Sequence, residues 1–190
     1  MERSVKFMSL SGLSGVLAGV YAMVGAAIAF FGILPPGGPL RVTGEILTAP
    51  GVLSGLVIIA LVVLVASLAT GLMLSARRAR RLGVNVWDDT GKRLFLNLAI
   101  PLVTGGVFIL LLLWSGHLGL LAPACLIFYG LALVNASPNL VDKVRFLGFS
   151  EIVLGLIGTA VPGIGLFLWA AGFGLLHIVY GSLLYRKYEA

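Results

Sequence analysis

Charge is scarce in this chain of 190 residues, where Lys, Arg, Asp and Glu make up only 11%, less than half of the roughly 25% usual in a soluble domain. Cysteine occurs once, at Cys125, so no disulfide can close within the chain and no cysteine-based metal site can form from it alone. The redox compartment therefore cannot be read from cysteine usage. The two histidines, His117 and His177, supply neither an H-E-x-x-H motif nor any other metal-ligand spacing. The stretches "GIGLFL" and "GFGLLH" begin like a dinucleotide-binding turn, but they place Leu168 and His177 where the third glycine belongs. Six of the seven acidic residues lie outside the apolar runs. An intramembrane hydrolase needs a nucleophile and a base at matching depth, and no such combination is evident. These shortages point to a chain without enzymatic activity, cofactor or metal.

What is abundant is apolar length. Hydrophobic residues make up 59% of the chain and the mean hydropathy is +1.11, the balance of a membrane protein. The runs carry about 20 residues each, enough for a helix to cross roughly 30 Å of hydrocarbon, and they lack the short alternating pattern of barrel strands. The expectation is an all-α polytopic membrane protein forming a single integral membrane domain over 1–190, with six helices at 7–34, 52–76, 94–114, 118–136, 144–161 and 166–185 arranged as three hairpins. The first run is about twice as long as the core of a signal peptide, so it reads as a retained helix. Tight turns are expected at "SGH" (115–117) and "PGIG" (162–165), where Gly and Pro break the helices. The loop "PPGGPLRVTGEILTAPG" (35–51) is too short and too rich in Gly and Pro to form a domain.

Cations orient the chain, because Lys and Arg are retained on the cytoplasmic side. With six crossings, Arg3, Lys6, Arg77, Arg78, Arg80, Arg81, Lys92, Arg93, Lys143, Arg145, Arg186 and Lys187 fall on one face, and Arg41 alone on the other. Both termini are then cytoplasmic. "ARRARRLG" superficially resembles a nucleic-acid patch, but directly after a span it reads as a topology determinant. Its Arg77, Arg78, Arg80 and Arg81, with Lys92 and Arg93, suit anionic lipid headgroups as partners. Nucleic acid is not expected.

Lipid offers no hydrophobic force between helices, so close packing relies on small residues. Ser11, Gly15 and Gly19 form such a stripe in the first helix, and Gly51 and Gly55 begin the second, whose run "LVIIALVVLV" should face lipid. Gly155, Gly158 and Pro162 share a face of the fifth helix with Glu151, and Ala170, Gly174, His177 and Gly181 share one of the sixth. Trp114 and Trp169 sit near the outer interface, Tyr185 and Tyr188 near the inner one, and Trp87 in the basic loop.

One carboxylate, Glu151 in "FSEIVLG", stands inside an apolar run. Residues equidistant from the turn of an antiparallel hairpin lie at equal depth. Glu151 and His177 centre on Ile164 in "PGIG", and Asn97 and Asn135 centre on Gly116 in "SGH", giving two level pairs. The fifth helix must start early to cross, with Ser137 as N-cap and Pro138 at its first position. Glu151 then lies roughly 9 Å deeper than Arg145, and His177 roughly 13 Å deeper than Arg186. Glu151 and His177 are expected to form a hydrogen-bonded pair with coupled protonation. Simple bonding between helices is weighed above a functional role for both pairs, and more so for Asn97 with Asn135.

"LIFYGLAL" (126–133) and "HIVYGSLL" (177–184) place an aliphatic run, Tyr-Gly and Leu in the same order, as a tandem hairpin repeat would. The stretch "GLIGTAVPGIGLFLWAAGFGLLHIVYGSLL" (155–184) resembles the repeating hairpin of the acid-resistance membrane protein (HdeD-like) family. The likeness is best over the last hairpin, looser over the middle one and least over the first, where the "PPGGPLRVTGE" loop departs from the tight-turn pattern. It implies three tandem hairpins in a bacterial inner membrane and supplies no catalytic residue or substrate. The expected function is regulatory, stress-related or scaffolding. A second copy of the chain and another membrane protein are both open as partners. The alternative is a small transporter or channel whose polar site comprises Glu151, His177, Asn97 and Asn135.

Overall fold

The chain is all-helical in a computed structural model that describes residues 12–34, 44–82, 89–139 and 142–188, with no strand among them. Helix α1, Gly12–Ile28, continues through a π-helical turn, Ala29–Ile33. A short α2, Gly44–Thr48, precedes α3, Val52–Leu82, and α4 follows as Asp89–Trp114. A 3₁₀ turn, Leu118–Leu120, leads into α5, Leu121–Ala136, and another, Ser137–Asn139, follows it. Helix α6 is Asp142–Ala160. Helix α7 runs from Gly165–Trp169 through a π-helical segment, Ala170–Leu176, into His177–Tyr188.

Five of these elements, Gly12–Ile33, Val52–Arg81, Gly91–Trp114, Leu118–Ala136 and Gly165–Arg186, are long and apolar enough to cross a membrane. Helix α6 is not one of the five, because Lys143, Arg145 and Glu151 fall within it. Several boundaries differ from the sequence expectation, with α6 starting at Asp142 rather than 144 and α7 ending at Tyr188 rather than 185, and two of them differ most. Helix α3 carries on past 76 through the arginines to Leu82, and α4 starts at Asp89 rather than 94. Arg, Lys and Leu are good helix formers, so a helix need not stop where hydrocarbon does. The expected start at 7, with Ser11 of the small-residue stripe, lies outside the described residues, as do Arg3, Lys6, Arg41 and Trp87.

The two tight turns occur where glycine is required. Gly116 has φ 76° and Gly163 φ 92°, a left-handed conformation that costs a side chain roughly 1–2 kcal/mol. Ser137 does not act as a cap for α6. Its hydroxyl donates back to the carbonyl of Val134 at the end of α5.

Backbone contact at glycines makes the closest helix pairs. Between α5 and α6, a Cβ on Gly130 would lie 2.5 Å from the Gly148 carbonyl oxygen, and one on Gly148 would lie 2.8 Å from that of Gly130. Gly155 presses on Ile127 and the Pro123 carbonyl, and Gly158 on Pro123 and Leu168, as the stripe on this helix leads one to expect. Helix α1 seats on α7 in the same way, with Gly12 and Gly15 at Gly181 and Gly19 at the Gly174 carbonyl. Gly55 abuts Ile33, whereas Gly51 has open space around it.

The helices follow one another in space as a row. Helix α3 packs on α1, α1 on α7, α7 on α6 and on the start of α5, and α4 on α5. Each expected hairpin has its two helices in contact, yet the most extensive packing joins different hairpins, α5 to α6 and α1 to α7. Buried Leu133, Ala136, Val144 and Leu147, with Tyr129, Tyr180 and Leu184 around them, fill the end of the bundle where α5 leads into α6.

Candidate functional site

Glu151 and His177 meet in the middle of this row. Glu151 has no solvent-exposed surface and His177 only 6%. Glu151 reaches this position because Val144, Leu147, Gly148, Glu151, Gly155 and Gly158 form the buried face of α6, recurring at the three- and four-residue spacing of one helical stripe. His177 follows directly on the π-helical segment of α7.

His177 Nδ1 lies 3.4 Å from Glu151 Oε1. It is not committed there, since Nδ1 also sits 3.0 Å from the carbonyl oxygen of Gly172. A carbonyl only accepts, so Nδ1 carries the hydrogen and donates it to Gly172. On a neutral ring Nε2 is then a lone pair. The Tyr129 hydroxyl, 2.8 Å away, donates to it. Both ring nitrogens are therefore occupied by groups other than Glu151, and neither carboxyl oxygen has a hydrogen-bond partner. The expected hydrogen-bonded pair is corrected to a close approach without a bond. The reason is the backbone at residue 172, which offers Nδ1 a nearer acceptor.

Aromatic rings wall the imidazole. Phe173 stacks on it at 5.9 Å between centroids and an interplanar angle of 26°, and Tyr129 lies at 5.4 Å and 38°. Trp169 packs on Phe173 at 5.5 Å. Gly172 makes room for the acid, because Oε2 and Leu126 occupy the place a Cβ would take.

The expected single stripe of Ala170, Gly174, His177 and Gly181 is divided between two neighbours. Gly174 and Gly181 lie on α1, at Met23 and Gly12, while Gly172 and His177 turn to Glu151. Gly172 and Gly174 lie within the π segment, and His177 and Gly181 in the α-helical stretch that follows it.

Asn97 and Asn135 also adjoin, but not side chain to side chain. The Asn135 amide donates from Nδ2 to the backbone carbonyl of Asn97 at 2.8 Å. That carbonyl needs a partner because the residue four places on, Pro101, lies inside α4 and has no N–H to give it. Asn135 is exposed and Asn97 half-buried. The pair repairs a helix defect and is separate from the Glu151 cluster.

Arg77, Arg80 and Arg81 are exposed on the last turns of α3, and Lys92, 3.7 Å from Asp89, is exposed on the first of α4 with Arg93 beside it. Cys125 is a free, half-buried thiol in α5. His117 sits in an exposed turn beside Ser115. Among the described residues no three His, Cys, Asp or Glu side chains gather as they would around a metal.

Sequence reasoning missed Tyr129, Gly172 and Phe173. A signal for Tyr129 was present in "LIFYGLAL", since a phenol inside an apolar run needs a partner for its hydroxyl. No family model, curated protein or solved structure matches the chain.

Proposed function

We propose that this is a non-enzymatic, multi-pass membrane protein of regulatory type whose conformation responds to a proton held at the Glu151–His177–Tyr129 cluster. The observation that carries this reading is the carboxyl of Glu151, wholly buried and without a hydrogen-bond partner beside an imidazole whose two nitrogens are engaged elsewhere. A side chain kept only to tie helices together would have its oxygens bonded. An ionised carboxylate would have no donor aimed at it here, so the arrangement fits the protonated acid. A metal ion needs several oxygen ligands around it, whereas Oε2 is pressed against Gly172 and Leu126. A proton is the cation that fits.

Six spans with both termini cytoplasmic, in an inner (plasma) membrane, complete the reading. The exposed face of α6 supports the sixth crossing, for between Arg145 at its start and Thr159 at its end it carries Phe146, Phe149, Val153, Leu156 and Ile157, while the acid is on the buried face. A helix exposed to water would have the reverse arrangement. The cationic ends of α3 and α4 then lie at the level of anionic headgroups.

Infrared difference spectra of the protein in lipid vesicles, recorded across a pH titration, test the proposal. A protonated-carboxyl band that responds to pH and is absent from Glu151→Gln supports it, and a band that never changes overturns it. Proton flux into the same vesicles addresses a second reading, a small transporter, favoured by the nearness of exchangeable groups, with the carboxyl 3.4 Å from an imidazole that is bonded to the phenol. Flux that is lost in Glu151→Gln would establish transport. A titrating band without flux leaves the regulatory role.

A further inference from the structure

The π-helical segment of α7 and the candidate proton site share one hydrogen. His177 Nδ1–H donates to the Gly172 carbonyl at 3.0 Å, and its other available acceptor, Glu151 Oε1, is 3.4 Å away. Gly172 lies within the segment Ala170–Leu176, which has π rather than α bonding. A peptide carbonyl and a neutral carboxyl are acceptors of similar strength, but an ionised carboxylate is roughly twice as strong. The two acceptors are thus closely matched in distance while one of them can change its charge.

We propose that loss of a proton from Glu151 draws Nδ1–H of His177 from the Gly172 carbonyl to Oε1, and that this resets the hydrogen bonding of the π turn and the seating of Gly174 and Gly181 on α1. The inference rests on the proton-responsive reading above and adds to it the element that responds. Its step is a change of hydrogen-bond acceptor. One proton leaves the Glu151 carboxyl for the medium, and His177 keeps its own.

The surroundings suit such a device. From α5 the Tyr129 hydroxyl holds Nε2, so the ring is pinned at one nitrogen while the other selects its acceptor. From α6 the facing ionisable group is Glu151 itself. On α7, Tyr180 packs against the cluster formed by Leu133, Ala136, Val144 and Leu147. From the other side α1 offers Gly12, Gly15, Gly19 and Met23, and its one phenol, Tyr21, is 3.3 Å from the Thr70 hydroxyl of α3. The carbonyl released by the switch is in a turn where π bulges commonly mark functional sites. The turn's far side is a glycine seam in which Met23 seats on Gly174 and Ile178 on Gly19, so a shift of the turn is passed directly to α1.

Amide hydrogen exchange of residues 170–176, corrected for intrinsic rates, is the measurement. It is made in lipid vesicles on wild type, Glu151→Gln and His177→Phe at the two ends of the infrared titration. The wild type should change by about tenfold between protonated and ionised forms, the equivalent of about 1.4 kcal/mol. Glu151→Gln should stay at the protonated value throughout. His177→Phe, which keeps a ring between Tyr129 and Phe173, should lose the exchange response while the Glu151 band still titrates. A band that titrates with no change in exchange across residues 170–176 overturns the switch and leaves the proton site standing. A response that survives in His177→Phe also overturns it. A band that does not titrate overturns the proton reading itself, and the switch with it.

Discussion

Helices α3 and α6 invert the rule that governs helices in water. Helix α3 includes a 30-residue candidate span that is the most apolar of the five, yet only 6% of its most apolar window is buried in the protein. Helix α6, too charged to qualify by composition, supplies one half of one of the closest helix pairs and holds the one wholly buried acid among the described residues. Hydropathy here follows exposure on the outside of the bundle and not depth within the fold, as is suited to a lipid surround. Since tails of lipid are as apolar as leucine, burial in the bundle is gained by small residues and matched polar groups. Leu72 at 71% exposure and Gly148 against a carbonyl oxygen show the two outcomes.

The contrast would break first at a glycine. Gly148→Leu forces a side chain into the Gly130 backbone and should cost about 3 kcal/mol or more, the upper range of overpacking. Gly71→Leu on α3, where a Cβ meets nothing within 4 Å, should stay within about 0.5 kcal/mol. Thermal unfolding of both variants in one detergent makes the comparison. Equal losses would show that α3 is packed after all. Tyr129→Phe ranks next. Removing the hydroxyl from His177 Nε2 should cost about 1 kcal/mol, and in infrared spectra it should alter the Glu151 band by loosening the imidazole beside it. The smallest effect belongs to Asn135→Ala, about 0.6 kcal/mol. It should vanish in a Pro101→Ala background, where residue 101 regains an N–H for the Asn97 carbonyl. A double-mutant cycle on unfolding free energies reads this directly, and an unchanged cost in that background would refute the repair role.

How much of this was legible depends on what each residue does. Periodicity located the buried face of α6, because Glu151, Gly155 and Gly158 recur at helical spacing whatever their neighbours are. Equal depth brought Glu151 to His177 because antiparallel helices rise at the same rate. The Asn135 contact came out at the right level but with the wrong atom, since hydropathy says nothing of a carbonyl freed by Pro101. The π turn was not readable at all. Its segment, "AAGFGLL", has an ordinary helical composition, and the choice between i→i+4 and i→i+5 bonding is made by neighbours distant in the chain. For the same reason Gly172 gave no sign of its role as the space that Glu151 fills.

The open row of helices has a consequence for how the chain divides. Its order in space, α3, α1, α7, then α6 with α5, then α4, keeps α1 and α3 together at one end and α4 to α7 at the other. These two stretches meet chiefly along the glycine seam of α1 and α7, and the covalent link between them is the short segment 83–88. The molecule is thus built like a hinge-bound pair of leaves, each contiguous in sequence. Cut between 82 and 89 and expressed as two polypeptides, it should find itself again in the bilayer through that seam.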